Sequence, residues 1–121
     1  MSFRFGPDVR LRSSAEFSVV QKTGRRVNAR YLTLIGKPNM LTGDRLGIIA
    51  SRRLGGSVVR SRAKRLVREV FRHQEPDLSG ARTGRPFDVV VIPRRELLDA
   101  PFAALEADFK IALQKMRGLP S

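Results

Sequence analysis

Few residues of this 121-residue chain have the types and spacing that catalysis or metal binding requires. The chain has no Cys, which excludes a thiolate nucleophile, a disulfide framework and any Cys-based metal site. Its single His, His73, gives no multi-His metal site, and no paired carboxylate or Ser lies near it in sequence to form a general acid–base or nucleophilic site. Four scattered carboxylates lack the spacing of a two-metal nuclease: Asp44, Asp88, Asp99 and Asp108. We therefore expect no catalytic residue and no metal ligand in this chain.

Cationic side chains are abundant, and they are concentrated between Ser51 and Arg72. The chain has 24 Lys and Arg residues against 11 Asp and Glu, which gives a net charge of +13. Most of the 24 are Arg, which donates paired hydrogen bonds to phosphate, so the composition favours a polyanionic partner such as nucleic acid. Residues 51–72 carry a net charge of +7, with Glu69 as their only acid. Their eight basic residues are Arg52, Arg53, Arg60, Arg62, Lys64, Arg65, Arg68 and Arg72.

The spacing of these charges predicts a cationic helix face. Basic residues recur every fourth position from Arg60 to Arg72, and each such like-charged pair costs about 0.2–0.5 kcal/mol in an isolated helix. Bound phosphates would remove this repulsion and release counterions. Two other interpretations remain open: a solvated face that confers solubility, and a helix lying on an anionic membrane. The second is disfavoured because the apolar side of the helix is Val, Ala and Leu with no Trp.

Hydrophobic periodicity and turn residues predict the elements that position this helix. The first element is a helix capped by Ser13 and ending near Thr23. Strands over 30–37 and 45–51 follow and form an antiparallel hairpin. The remaining elements are a helix over 57–72 capped by Ser57, a strand over 87–92, and a helix opened by Pro101 and ended by Gly118. This order predicts an α+β fold, an α-β-β-α-β-α sandwich of helices on a small sheet.

We expect one domain over residues 1–121, with a basic arm over 1–12 and a flexible loop over 74–86. No apolar run approaches the roughly 20 residues that span a bilayer. The N-terminus also lacks the apolar centre of a secretion signal, so we expect a cytoplasmic protein.

The segment from Ser51 to Arg72, S-R-R-L-G-G-S-V-V-R-S-R-A-K-R-L-V-R-E-V-F-R, resembles the signature of the bacterial ribonuclease P protein subunit. That signature runs S-(K/R)-(K/R)-x-G-x-A-V-x-R-N-R-x-K-R-x-x-R-E-x-F. The resemblance extends over roughly residues 9–117. It includes the N-terminal stretch with Arg12 and Phe17, and the strand from Phe87 to Ile92.

The resemblance implies a fold like that of ribosomal protein S5 domain 2, with a left-handed β-α-β crossover through the basic helix. It also implies that the chain is the non-catalytic protein subunit of an endoribonuclease whose chemistry is carried by a catalytic RNA. The holoenzyme removes the 5′ leader of precursor tRNA. Its Mg²⁺ ions are held mainly by the RNA. The implied partners are therefore the catalytic RNA and precursor tRNA, with no membrane and no small-molecule substrate.

The resemblance also assigns site residues by position. Those implied to bind the catalytic RNA are Arg52, Arg53, Arg60, Ser61, Arg62, Lys64, Arg65 and Arg68. Those implied to bind the leader are Phe17, Tyr31 and Arg12, with Phe17 equally well explained as a core residue. Two departures matter: Ser61 replaces the family's Asn, and Val20 and Ile35 stand where the family often has aromatics.

Two alternative functions remain open from the sequence. One is a ribosomal or other structural RNA-binding protein with no role in tRNA processing. The other is a protein-only nuclease, which the scarcity of clustered His, Asp and Glu disfavours.

Overall fold

The computed structural model describes residues 14–39, 44–74 and 86–118. Within these ranges the helices are α1 (Ser14–Thr23), α2 (Ser57–Arg72) and α3 (Phe102–Arg117), and the strands are β1 (Arg25–Asn28), β2 (Leu32–Pro38), β3 (Arg45–Ile48) and β4 (Phe87–Pro93). Short 3₁₀ turns lie at Arg52–Leu54 and Arg95–Asp99. The predicted arm over 1–12, the predicted cap Ser13 and most of the predicted loop over 74–86 lie outside the described residues.

The four strands of the described structure form one sheet in the order β1-β2-β4-β3, which confirms the predicted α+β class. β2 is antiparallel to both β1 and β4, whereas β3 is parallel to β4. The chain passes from β3 to β4 through α2, so the β-α-β crossover implied by the resemblance is present. Its left-handed sense stays a prediction.

The strands predicted over 30–37 and 45–51 correspond to β2 and β3. Their predicted pairing as an antiparallel hairpin is wrong, because β4 lies between them. The reason is visible in β4 itself, where Val89, Val90 and Val91 are all fully buried. A strand that is apolar on both faces is stable only in the sheet interior, with a neighbour on each side. β1 was not predicted as a strand, because Val27 is its one apolar residue and the other three are exposed.

Helices cover both faces of the sheet. On one face, α2 and α3 pack on β2 and β4 through Val67, Val70 and Phe109, whose side chains are fully buried. On the other face, Val20 of α1 contacts Ile35 and Val90 in a separate apolar cluster. The sheet therefore has a large core on the α2–α3 face and a small one under α1.

The helix ends differ slightly from the predicted ones. The cap of α2 is Gly56, and Ser57 is the first helical residue rather than the predicted cap. Pro101 likewise caps α3 from outside instead of occupying its first turn. The end of α3 at Gly118 is confirmed, with φ of 75° in the left-handed region that glycine adopts without strain.

Close packing of β2 against α3 requires a glycine at position 36. A Cβ built on Gly36 would overlap the sulfur and Cγ of Met116. We expect Gly36→Ala to lower the free energy of unfolding by about 1–3 kcal/mol through overpacking, measured by urea denaturation. In a Met116→Ala background the same change should cost much less, and equal costs in both backgrounds would refute the contact. Lys110→Ala, an exposed position on α3, serves as the control and should leave the free energy of unfolding nearly unchanged.

Candidate nucleic-acid interface

The outer side of α2 is formed by residues opposite its core contacts. Ala63, Val67 and Val70 are fully buried against the sheet and α3. Because a helix turns by 3.6 residues, the opposite side faces solvent, and Ser61 and Arg65 are exposed there. We call the exposed stretch of this side the α2 crest; its residues are Ser57, Val58, Ser61, Arg62 and Arg65.

The basic residues spaced by four lie beside the crest rather than on it. Arg60, Lys64 and Arg68 are half-buried at the boundary with the core, where their aliphatic stems cover apolar surface. Arg72 is exposed and pairs with Glu69 at 2.5 Å. The Nε atom of Arg60 is buried and has no hydrogen-bond partner in the described structure. A buried donor without an acceptor is unusual in a folded protein, and a bound anion would satisfy the Arg60 Nε–H.

Most of the predicted RNA-binding cations have no acidic partner. Within residues 14–39, 44–74 and 86–118, no ion pair involves Arg52, Arg53, Arg60, Lys64 or Arg65. Some carboxylates of the described residues pair away from α2; Asp44, for example, pairs with the buried Arg117 at 2.5 Å. Five cations of α2 and its approach therefore have no acidic partner among the described residues, whereas Arg72 pairs with Glu69.

The approach to α2 is a 3₁₀ turn that presents two further cations. The Ser51 hydroxyl caps it by accepting a hydrogen bond from the Arg53 backbone N–H at 3.3 Å, and Leu54 anchors it in the core. Arg52 and Arg53 are exposed. Gly55 then turns the chain into α2 with φ of 142°, a conformation that disfavours other residues. The turn and the crest form one continuous cationic stretch of chain.

A second candidate surface lies on the opposite face of the sheet, beside α1. Phe17 is half-buried next to the cluster of Val20, Ile35 and Val90, with Ile49 and Ile92 also partly covered. Phe17, Ile49 and Ile92 are only partly buried, so part of this face beside α1 is accessible to solvent, and we refer to this accessible part as the cleft. Half-burial agrees with both interpretations of Phe17, core residue and cleft aromatic, and its leader contact stays a prediction.

The structure does not bring Tyr31 into this cleft. Tyr31 is buried with the large core, on the α2–α3 face, and its backbone N–H donates to Asp108 Oδ2 on α3 at 2.9 Å. The Arg30 guanidinium lies over its ring at 5.3 Å. The two side chains belong to different apolar clusters, so the structure does not bring Tyr31 and Phe17 together, and a leader contact of Tyr31 stays a prediction. Arg12 lies outside the described residues.

A polar array that the sequence analysis did not assign extends the cleft. Arg94 donates from Nη2 to Thr33 Oγ1 at 3.1 Å and from Nε to the Ala29 carbonyl at 3.2 Å. Thr33 in turn donates to Asn28 Oδ1 at 3.2 Å. Thr33 and Ile35 are two positions apart on β2, so their side chains point to the same face of the sheet. The polar array therefore borders the apolar cleft. The sequence feature that could have indicated this array is Thr33, a polar residue in an apolar strand.

A three-residue ionic network attaches α1 to the sheet. Arg45 donates to both oxygens of Asp88 at 2.9 and 2.8 Å and to Glu16 Oε2 at 2.9 Å. The hydrogen bonds with Asp88, and secondarily those with Glu16, raise the pKa of the Arg45 guanidinium above its ordinary value against the opposing effect of burial. Glu16 and Arg45 lie 29 residues apart, so their pairing is not visible in the local sequence pattern. Glu16 precedes Phe17, so the network also positions the cleft aromatic.

Arg45→Met should test this network. It leaves the Asp88 carboxylate, 13% exposed, without its bidentate partner, and we expect the free energy of unfolding to fall by about 1–3 kcal/mol. Arg72→Met is the matched control, since its ion pair is 52% and 39% exposed and is expected to contribute under about 1 kcal/mol. Chemical denaturation of both variants gives the comparison, and equal losses would contradict the structural role.

The fold and these surfaces define a small α+β protein with a cationic helix on one sheet face and partly buried apolar residues beside α1 on the other. Within the described ranges, no helix is long and apolar enough to cross a membrane. A family model described as Ribonuclease P matches residues 5–117. The chain belongs to this family, the protein component of ribonuclease P, which confirms the resemblance carried by Ser51–Arg72.

Individual relatives agree with this assignment. The ribonuclease P protein component of Chloroflexus aggregans is 43% identical over 100 residues, covering 82% of this chain and 70% of that protein. The ribonuclease P protein component of Caldanaerobacter subterraneus is 33% identical over 106 residues, covering 88% of this chain and 87% of that protein. Among solved structures, the Staphylococcus aureus RNase P protein superposes with a TM-score of 0.73 at 26% identity, covering 88% of this chain and 94% of that one. The Thermotoga maritima RNase P protein superposes with a TM-score of 0.70 at 28% identity, covering 93% of this chain and 98% of that one.

Proposed function

We propose that this chain binds the catalytic RNA of ribonuclease P through α2 and its approach, and the 5′ leader of precursor tRNA through the cleft beside α1. The observation that carries the proposal is the set of cations without acidic partners on α2 and the preceding turn. RNA phosphates would neutralise this charge with counterion release, and A-form helices are contacted mainly through their backbone and 2′-hydroxyls. We place this activity in the cytoplasm.

The cleft has the composition that a single-stranded leader requires. Single strands are bound by stacking bases on aromatic side chains while cations follow the backbone. Phe17 supplies the aromatic ring, the partly buried Ile49 and Ile92 an apolar wall, and Arg94 an exposed cation. Because Val20 and Ile35 are aliphatic, Phe17 would be the main stacking residue.

Cleavage of the leader is assigned to the RNA, with Mg²⁺ ions that the RNA holds. In support, the described residues contain no group of three or more His, Cys, Asp or Glu placed to hold a metal ion. His73 lies between the carboxylates of Glu69, at 3.5 Å, and Glu106, at 3.3 Å, at the junction of α2 and α3. The protein would act by binding and by screening the repulsion between two RNA molecules, which lowers the Mg²⁺ concentration that cleavage requires.

The two alternative functions are less well supported. A ribosomal or other structural RNA-binding protein could use the same cationic helix, but the family match over residues 5–117 favours ribonuclease P. A protein-only nuclease would need hydrolytic groups that the described residues do not bring together.

Cleavage of precursor tRNA by the cognate catalytic RNA tests the proposal directly. At low millimolar Mg²⁺ we expect little cleavage by the RNA alone and substantial cleavage after addition of the protein. At high Mg²⁺ the difference should shrink, because cations then screen the phosphates. Protein without RNA should leave the substrate intact, and cleavage by RNA-free protein would instead support the nuclease alternative.

The cationic helix is tested by the double change Arg60→Ala with Arg65→Ala. Loss of two phosphate contacts should weaken binding of the catalytic RNA and reduce the slope of log K against log salt concentration by about 1.5. Filter binding or fluorescence anisotropy across a salt series measures both quantities. Lys110→Ala, an exposed cation on α3, should leave the slope unchanged. An unchanged slope in the double variant would remove α2 as the contact surface.

The cleft is tested by Phe17→Ala. A lost base-stacking contact is worth about 1–3 kcal/mol, so the holoenzyme should bind leader-bearing precursor tRNA more weakly while its affinity for mature tRNA is unchanged. Val19→Ala, an exposed residue on the same helix, should change neither affinity. Equal weakening for both RNAs, together with a lower unfolding free energy, would indicate that Phe17 is only a core residue.

A further inference from the structure

Val58 is an unusual residue for the most cationic surface of the protein. It is 82% exposed, whereas the other exposed large hydrophobics of the described residues, Val19, Phe102 and Ile111, are at most 49% exposed. The next residue, Val59, is the one that packs against the core. The fold therefore does not use Val58, and its neighbours on the helix side are Arg62 and Arg65 at i+4 and i+7.

Val58 lies in a shallow pocket of the α2 crest. The pocket has a volume of about 340 Å³ and is lined by the five crest residues. One wall is held in place, because Arg62 Nη2 donates to the Leu98 carbonyl of the second 3₁₀ turn at 3.1 Å. In the described parts of the chain, the side chains of Ser57, Ser61 and Arg65 make no hydrogen bond, so their polar atoms are available to a ligand.

The chemistry of this pocket selects its occupant. An apolar surface between two guanidinium groups fits a ligand with a flat, weakly polar part attached to an anionic part. A nucleotide has this composition: its base would cover Val58, its phosphate would lie between Arg62 and Arg65, and the serine hydroxyls would reach the ribose or the base edge. The base must be unpaired, since both faces of a base within a duplex are covered by stacking. The volume is at the small end of the range of ligand sites, about 300–1,000 Å³, which suits one nucleotide.

We propose that the α2 crest binds a single unpaired nucleotide of the catalytic RNA, with Val58 against the base. This inference rests on the proposed function, and it adds a site that recognises a local RNA structure to a surface that otherwise binds phosphates. The contact between Val58 and the base is apolar and short-ranged. Its contribution to binding is therefore insensitive to salt, unlike that of the surrounding arginines.

Val58→Ala separates this apolar contribution from the charge. We expect about a fivefold loss of affinity for the catalytic RNA, which is about 1 kcal/mol, with an unchanged salt slope and unchanged affinity for a plain RNA duplex. Val19→Ala is the matched control and should behave as wild type. The exposed position means that thermal unfolding of Val58→Ala should also match wild type. Unchanged affinity for the catalytic RNA, or an equal loss for the duplex, would overturn the inference.

The absence of Cys allows a second, independent measurement. Val58→Cys, labelled with a photoreactive aryl azide and irradiated in the holoenzyme, should crosslink to one unpaired nucleotide of the catalytic RNA. Crosslinks spread along paired regions would overturn the proposal, as would Val58-dependent binding of anionic phospholipid vesicles or an acidic peptide in place of RNA. Failure of the wild-type protein to bind the catalytic RNA at all would instead refute the proposed function, so the two failures are distinguishable.

Discussion

The burial of β4 on both faces is the constraint on which this architecture depends. Its central residues are valines without solvent access, so the strand needs a neighbour on each edge and a covering layer on each face. β2 and β3 supply the neighbours, α2 and α3 cover one face, and α1 covers part of the other. The two candidate binding surfaces consequently lie on opposite faces of the same sheet. The outer side of α2 is turned away from the core, and the cleft lies beside α1 on the other face.

Ion pairs between distant segments add to apolar packing in fixing how the elements are arranged. Three of the eight carboxylates of the described residues join elements that are distant in sequence: Glu16 and Asp88 at Arg45, and Asp44 at the buried Arg117. Partly buried pairs of this kind fix geometry, because the removal of one partner leaves an uncompensated charge. Glu69, the one acid within α2, pairs with Arg72. The cationic surface thus results both from the large number of arginines and from the structural use of the acids.

Local patterns predicted much of the fold correctly. The limits of α2 follow from its apolar periodicity, and the end of α3 follows from Gly118. The basic segment was identified by charge and by its resemblance to a family signature, and family comparison agrees with it. The errors arose where pairing partners had to be chosen. Adjacent strands were joined as a hairpin although β4 separates them, and β1 was missed because its residues pair with β2 without contributing much to the core.

What the sequence alone determined is therefore the chemistry of the surface: an excess of cations on one helix, no Cys, one His, and the family to which the chain belongs. Only the tertiary structure decided which side chains share a site. It placed Tyr31 in the large core, away from Phe17, joined Arg94 to Thr33 across 61 residues, and left Val58 exposed between arginines. The physical reason is that charge and helical periodicity are local properties of the chain. The face of a sheet to which a side chain points depends instead on strand order and register, which are set by the packing of distant segments.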